Sequence, residues 1–256
     1  MKRTSMRLLM LALAATLLMA LAACGGKPED VAGTIEPGPS ASAAAPTGVV
    51  ETTSPEEDET GDEEETPVSL GRMEGGVYTN SYAGFGCELD SNWEFYTAEE
   101  LQELPNNVKE LLSDTEAGDL ISDLTQIIDM KADNAEDLTS MNVLYTKLDA
   151  QERLSYLTLG EEGYLDAALE QPEMMDMMTS SFAQVGIEVD TVEKTEVDFL
   201  GEERFAVRTS GHQDDIPWFL LQIFDYSRGR YGVTISFSSY LEDRTQDLAA
   251  LFYKVD

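Results

Sequence analysis

Four stretches between residues 187 and 238 constrain this chain more than any other feature: 187–199, 203–210, 216–226 and 231–238 follow one another with only short breaks. Each is rich in Val, Ile, Phe, Tyr and Thr, the composition of strands. The breaks are too short for crossover helices, so consecutive strands must run antiparallel as a meander. Leu200-Gly201 and Arg228-Gly229 mark two of the turns, with Gly permitting positive φ. For the first hairpin the faces decide the register. A three-residue loop at Leu200 to Glu202 places Val197 beside Phe205, Thr195 beside Val207, and Asp198 opposite Arg204 on the other face. A two-residue loop would mix apolar and polar faces, so the three-residue loop is expected.

A sheet of this kind needs cover, and the chain before and after it supplies candidates. Val77 to Leu89 is strand-like, with Phe85, Cys87 and Leu89 alternating with Gly86, Glu88 and Asp90. Asp90-Ser91-Asn92 gives a turn before Trp93, Phe95 and Tyr96. Thr97 followed by Glu100 reads as a capping box, and Leu101, Leu104, Val108, Leu111 and Leu112 form a helical stripe that Pro105 should break. Ile127 to Lys131 and Thr139 to Leu148 read as strands joined through the polar loop Asp133 to Asp137. A helical region over 161–183 is interrupted at Pro172, and a last helix is expected over 242–253 with Leu248, Leu251 and Phe252 inward. This order predicts an α+β fold, a mainly antiparallel sheet packed against helices, in one domain over 71–256.

The first 70 residues have a different character. Lys2, Arg3 and Arg7 precede an apolar run from Leu8 to Leu21, broken only by Thr16. The run falls short of the roughly 20 apolar residues of a membrane span and has the layout of a secretory signal. Leu21-Ala22-Ala23-Cys24 then resembles the bacterial lipobox. The resemblance implies removal of residues 1–23, lipidation of Cys24 and anchoring at the extracytoplasmic face of a membrane, where acyl chains add about 0.8 kcal/mol per buried CH₂. Residues 24–70 hold Pro, Ala, Gly, Ser and Thr and then an acidic block from Glu51 to Glu65, which reads as a disordered tether.

Charge and cysteine content narrow the function. A formal net charge of −34 excludes nucleic acid as a partner, since that binding relies on neutralising phosphates with Lys and Arg. By long-range attraction it favours cations or basic partners, unless the acidity serves only solubility in a crowded, salty exterior. Of the two cysteines, lipidation of Cys24 would leave Cys87 without a partner in the chain, so no disulfide is expected and Cys87 reads as a buried thiol.

The residues that carry chemistry are few. His212 is the only histidine, which removes sites needing two imidazoles, and its setting in Ser210 to Asp215 reads as a loop. No Gly-rich dinucleotide loop, P-loop or G-x-S-x-G turn is present, so no cofactor is expected. Asp129 to Asp133 lacks the EF-hand pattern, including its Gly. Met174, Met175 and Met178 are read as core. Two surface candidates remain. Trp218, Phe224 and Tyr226 share one strand face and form a patch that is either covered by a helix or open to a ligand. Lys194, Arg204 and Arg208 share a face in the register above and suit an anionic group, unless neighbouring acids pair with them.

Tyr78-Thr79-Asn80, Gly84-Phe85-Gly86-Cys87-Glu88-Leu89 and Asn92-Trp93 resemble the start of PsbP-like lipoprotein domains. That resemblance implies binding or assembly and supplies no catalytic residues. The expected function is therefore non-catalytic binding of a protein or cell-envelope partner by a lipid-anchored domain. A small-ligand or solute-binding lipoprotein is the alternative, and a carboxylate-dependent hydrolase a third.

Overall fold

Apolar residues in the central strands point both ways, and the architecture follows from the need to cover both faces. The structure, a computed structural model, describes residues 69–111 and 126–255, without the side chains of 105–111. The expected signal over 1–23, the expected lipidation site Cys24 and the expected tether up to residue 68 lie outside the described residues.

In chain order the elements are β1 (Arg72–Glu74), β2 (Val77–Asn80), β3 (Phe85–Glu88), β4 (Glu94–Phe95), α1 (Ala98–Leu111), β5 (Gln126–Asn134) and β6 (Thr139–Lys147). There follow α2 (Ala150–Leu169), α3 (Pro172–Gln184), β7 (Ile187–Phe199), β8 (Glu202–Gln213), β9 (Ile216–Asp225), β10 (Tyr231–Tyr240), α4 (Thr245–Ala249) and β11 (Phe252–Lys254). The strands form two antiparallel sheets. The larger has the order β4-β5-β6-β10-β9-β8-β7 and the smaller β1-β2-β3-β11. The chain is thus α+β, with few helices.

Helices α1, α2 and α3 cover one face of the larger sheet, where Tyr164, Leu165, Met178 and Phe182 meet Trp218, Leu220 and Phe224. The smaller sheet and α4 cover the other, where Phe85, Cys87, Leu248 and Phe252 meet Val197, Phe199, Ile223 and Phe237. Because β9 and β10 are covered on both sides, β9 runs nearly unbroken in apolar character, while β10 alternates Val233, Ile235 and Phe237 with the small buried Thr234, Ser236 and Ser238.

Two bulges set which way side chains point. In β7 the register shifts between Val189 and Thr191, so Ile187, Val189 and Val192 all face the helices although their spacing is irregular. In β5 it shifts between Ile128 and Met130, and the residue at the shift, Asp129, meets the smaller sheet. Its Oδ2 accepts hydrogen bonds from the Tyr78 hydroxyl and Asn80 Nδ2, both at 2.5 Å, and its Oδ1 accepts one from the Gly71 amide at 2.8 Å. Asn80 Nδ2 also donates to the Tyr145 hydroxyl at 2.7 Å. A buried carboxylate thereby ties β2 and the residue before β1 to the larger sheet. Burial raises the Asp129 carboxyl above its ordinary value, against the opposing effect of these donors.

Several expectations are met. The strand 187–199 pairs antiparallel with the strand that follows it, Pro172 opens α3 as its first residue, and the Thr97–Glu100 capping box forms through both reciprocal bonds. Others are corrected. α1 continues through Pro105, since proline removes one helical bond without forcing the chain to stop. Val108, Leu111 and Leu112 lie outside the described side chains. The helical region begins at Ala150, capped by Asp149 and Glu152, well before 161, with a kink at Gly160 (φ 72°).

The first hairpin turns through two residues, with Val197 opposite Arg204 and Phe199 opposite Glu202. Leu200 and Gly201 both have positive φ, 59° and 74°, the paired left-handed turn that matches strand twist. The mixed faces are tolerated because both are covered there: Phe199 is buried under the smaller sheet and Phe205 packs on the helix side. The last helix shortens to α4. Phe252 instead enters β11, opposite Cys87 of β3, and Leu251 is exposed.

Candidate functional site

Trp218, Phe224 and Tyr226 do share one face of β9 and the residue after it, but the helices occupy that face. Their exposures are 0%, 4% and 1%. Phe182 of α3 lies 5.0 Å from the Trp218 ring, and Tyr156 and Tyr164 of α2 lie 5.5 and 5.6 Å from Tyr226. The aromatic face is core and offers no open patch. Met174 and Met178 are buried in the same layer, with Met175 and Met177 packed against it.

The three basic residues are separated. In the observed register Lys194 stands opposite Val207, whereas Arg204 and Arg208 occupy the alternate positions of β8. Lys194 Nζ pairs with Asp166 at 2.6 Å and Glu162 at 3.1 Å, both on α2. Arg204 pairs with Glu161 at 2.9 Å and also donates to the Phe224 carbonyl. Arg208 pairs with Asp243, just before α4. Each cation already has a carboxylate, so no common anion site forms.

His212 is a strand residue rather than a loop residue, since β8 extends to Gln213. It stands opposite Glu188, with carboxylates of Glu188 and Asp190 at 3.4 Å from its two ring nitrogens. Cys87 is free and buried, and burial pushes its thiol up to about 12. Among the described residues no group of three or more His, Cys, Asp or Glu is placed to hold a metal ion. No helix among them is long and apolar enough to cross a membrane.

Lys131 is a charge that sequence reasoning placed in a strand and passed over. It is fully buried on the helix side of β5, with Nζ 2.6 Å from Asp133 and 3.1 Å from Ser140 Oγ, under the Tyr96 ring at 4.8 Å. The Tyr96 hydroxyl donates to the other oxygen of Asp133 at 2.8 Å. Burial lowers the ammonium from its ordinary value while Asp133 opposes the shift. Its contacts account for it as a satisfied structural ion pair.

Among the described residues an open groove of about 610 Å³ lies between the two sheets. Val197, Leu200, Ala250 and Phe252 give it an apolar lining. Asp198, Asp247 and Lys254 add charged groups. Its walls come from β7, the last strand on one side of the larger sheet, from α4, which brings Gln246 and Asp247, and from β11, the last strand on one side of the smaller. Among the described residues each of these strands pairs with only one neighbour, so the groove lies beside two sheet edges. Beneath it, the Phe252 ring packs 5.7 Å from Phe199 and 5.5 Å from both Phe85 and Phe237, which fixes the floor.

Charges around the groove are unequal. Lys254 is held by Glu202 at 2.6 Å, an exposed pair that draws Glu202 below the usual carboxylate value. Asp198 accepts a hydrogen bond from the Gly201 amide at 3.1 Å. Neither Asp198 nor Asp247 enters an ion pair among the described residues. The rim is therefore net negative over an apolar floor. Sequence reasoning missed it because its walls lie some fifty residues apart in the chain, and because 242–253 was read as one helix.

No protein-family model matches the chain, and no curated protein matches it.

Proposed function

We propose that the chain is a lipid-anchored protein at the extracytoplasmic face of a bacterial membrane, whose PsbP-like α+β domain binds a protein or cell-envelope partner and performs no chemistry. The observation that carries the binding reading is the groove between β7 and β11, with its apolar floor and acidic rim. A surface site of this shape offers contact area and hydrogen-bonding edges, and its residues include no nucleophile paired with a base. The anchor reading rests on the basic start, the apolar run and Leu21-Ala22-Ala23-Cys24. The PsbP-like reading rests on the motif from Tyr78 to Trp93, which in this fold forms β2, β3 and the turn after them.

Photo-crosslinking in the native membrane tests the binding. A photoreactive residue at Gln246, in the groove, should give a discrete crosslinked species, while one at Gln151, exposed on α2, should not. Absence of any groove-dependent product removes the reading. Cys24→Ser tests the anchor: the protein should leave the membrane fraction, and a fully processed variant that stays bound would refute lipidation there.

A further inference from the structure

We propose that the groove receives an extended, basic peptide segment of the partner, added as a further strand along the free edge of β7; the proposal rests on the reading of the domain as a binding module. β7 is 13 residues long, and among the described residues β8 is its only strand neighbour. A strand in that position offers main-chain donors and acceptors to an added segment, and pockets beside the edge then select alternate side chains. Here the groove supplies such pockets: Val197, Leu200 and Phe252 receive apolar side chains, and Asp198 and Asp247 receive the basic ones between them.

The charge on the edge selects the occupant. β7 carries Glu188, Asp190, Glu193, Glu196 and Asp198, against the single cation Lys194. Lys194 is already engaged by Glu162 and Asp166. A second copy of this chain would bring the same acids to the same edge, and like charges placed opposite each other across a strand pair are destabilising. The edge therefore discriminates against self-pairing. A strand bearing Lys or Arg meets the opposite condition: among the described residues Asp198 and Asp247 form no ion pair, and Arg244, the cation that acts on Asp247, is itself paired with Asp137. Beyond the bulge at Asp190, residues 191–199 keep one uninterrupted register with β8, so the edge presented to the partner is regular over that length.

The test uses the full chain and three fluorescent decapeptides, in which Val alternates with Lys, Gln or Glu, read by anisotropy. The Lys–Val peptide should bind, the Gln–Val peptide more weakly, and the Glu–Val peptide not at all. Two surface ion pairs are at stake, so Asp198→Asn combined with Asp247→Asn should weaken the Lys–Val peptide by about tenfold. The variant keeps the acceptor for Gly201, and its thermal unfolding midpoint should match the parent. N-methylation of alternate residues, which removes donors on one peptide edge, should abolish binding if the methylated edge faces β7 and spare it in the opposite phase.

Absence of Lys–Val binding, equal binding of the Glu–Val peptide, or indifference to N-methylation in both phases would overturn the proposal. Groove crosslinks at Gln246 together with such a result would leave the binding function standing and remove only the basic strand. Loss of both would remove the two together.

Discussion

The hydroxyl of Tyr78 donates to Oδ2 of Asp129 across the gap between the two sheets, at 2.5 Å and in a site where Tyr78 is wholly buried. Removing that donor leaves a buried carboxylate short of one partner. Tyr78→Phe should therefore cost about 2 kcal/mol in denaturant unfolding, with little change in secondary structure. A loss below about 0.5 kcal/mol would show that the contact does not hold the sheets together.

Asp129 also makes stability depend on pH in a defined direction. Its carboxyl is raised by burial, so between the ordinary value and the raised one the folded state binds more protons than the unfolded state. The stability contributed by its protonated form is fully present below the unfolded value and is lost as pH rises through the folded value. Subtracting the stability of Asp129→Asn from that of the parent should give a difference that falls with rising pH across this window. Paired unfolding curves at several pH values measure it, and a difference that rises would contradict the assignment.

Cys87 should resist alkylation in the folded protein. Its thiol is pushed up to about 12 by burial, so almost none is thiolate near pH 8. Iodoacetamide should label it rapidly in denaturant and slowly without, as intact mass would record. Fast labelling of the native chain would show an opening of the layer between β3 and β11.

Trp218→Ala separates a core role from a binding role. With the ring fully buried against Phe182, truncation should cost about 3–5 kcal/mol. Groove crosslinking at Gln246 should be retained under conditions where the variant stays folded. A stable variant that lost its crosslink would restore Trp218 to the binding surface.

Particular residues show where the sequence was legible. Strand β7 was read to its true ends because turn residues bound a long run in which strand formers recur. β9 and β10 were read for the same reason. The hairpin turn was misread because one apolar and one polar face were expected; both faces are covered here, and Leu200 accepts a positive φ to close a two-residue turn. The first half of α2 was invisible, since it buries Glu152 and exposes Leu154, Leu157 and Leu159, the reverse of an amphipathic helix. Leu248 and Phe252 are four apart, as in a helix, but pairing with Cys87 recruits Phe252 to a strand, an interaction no local window contains. The groove was hidden by the same long-range closure.

Strand β11 lies beside β3, which joins the end of the described chain to its beginning. A polypeptide that emerges from a ribosome or a translocation channel in order cannot complete the smaller sheet until residues 252–254 have followed. Until then Phe85 and Cys87 lack their neighbour, and one layer of the domain stays unfinished. The closing strand thus works as a timing element: it delays completion of the smaller sheet until residues 252–254 are in place, and it makes the groove one of the last features to form.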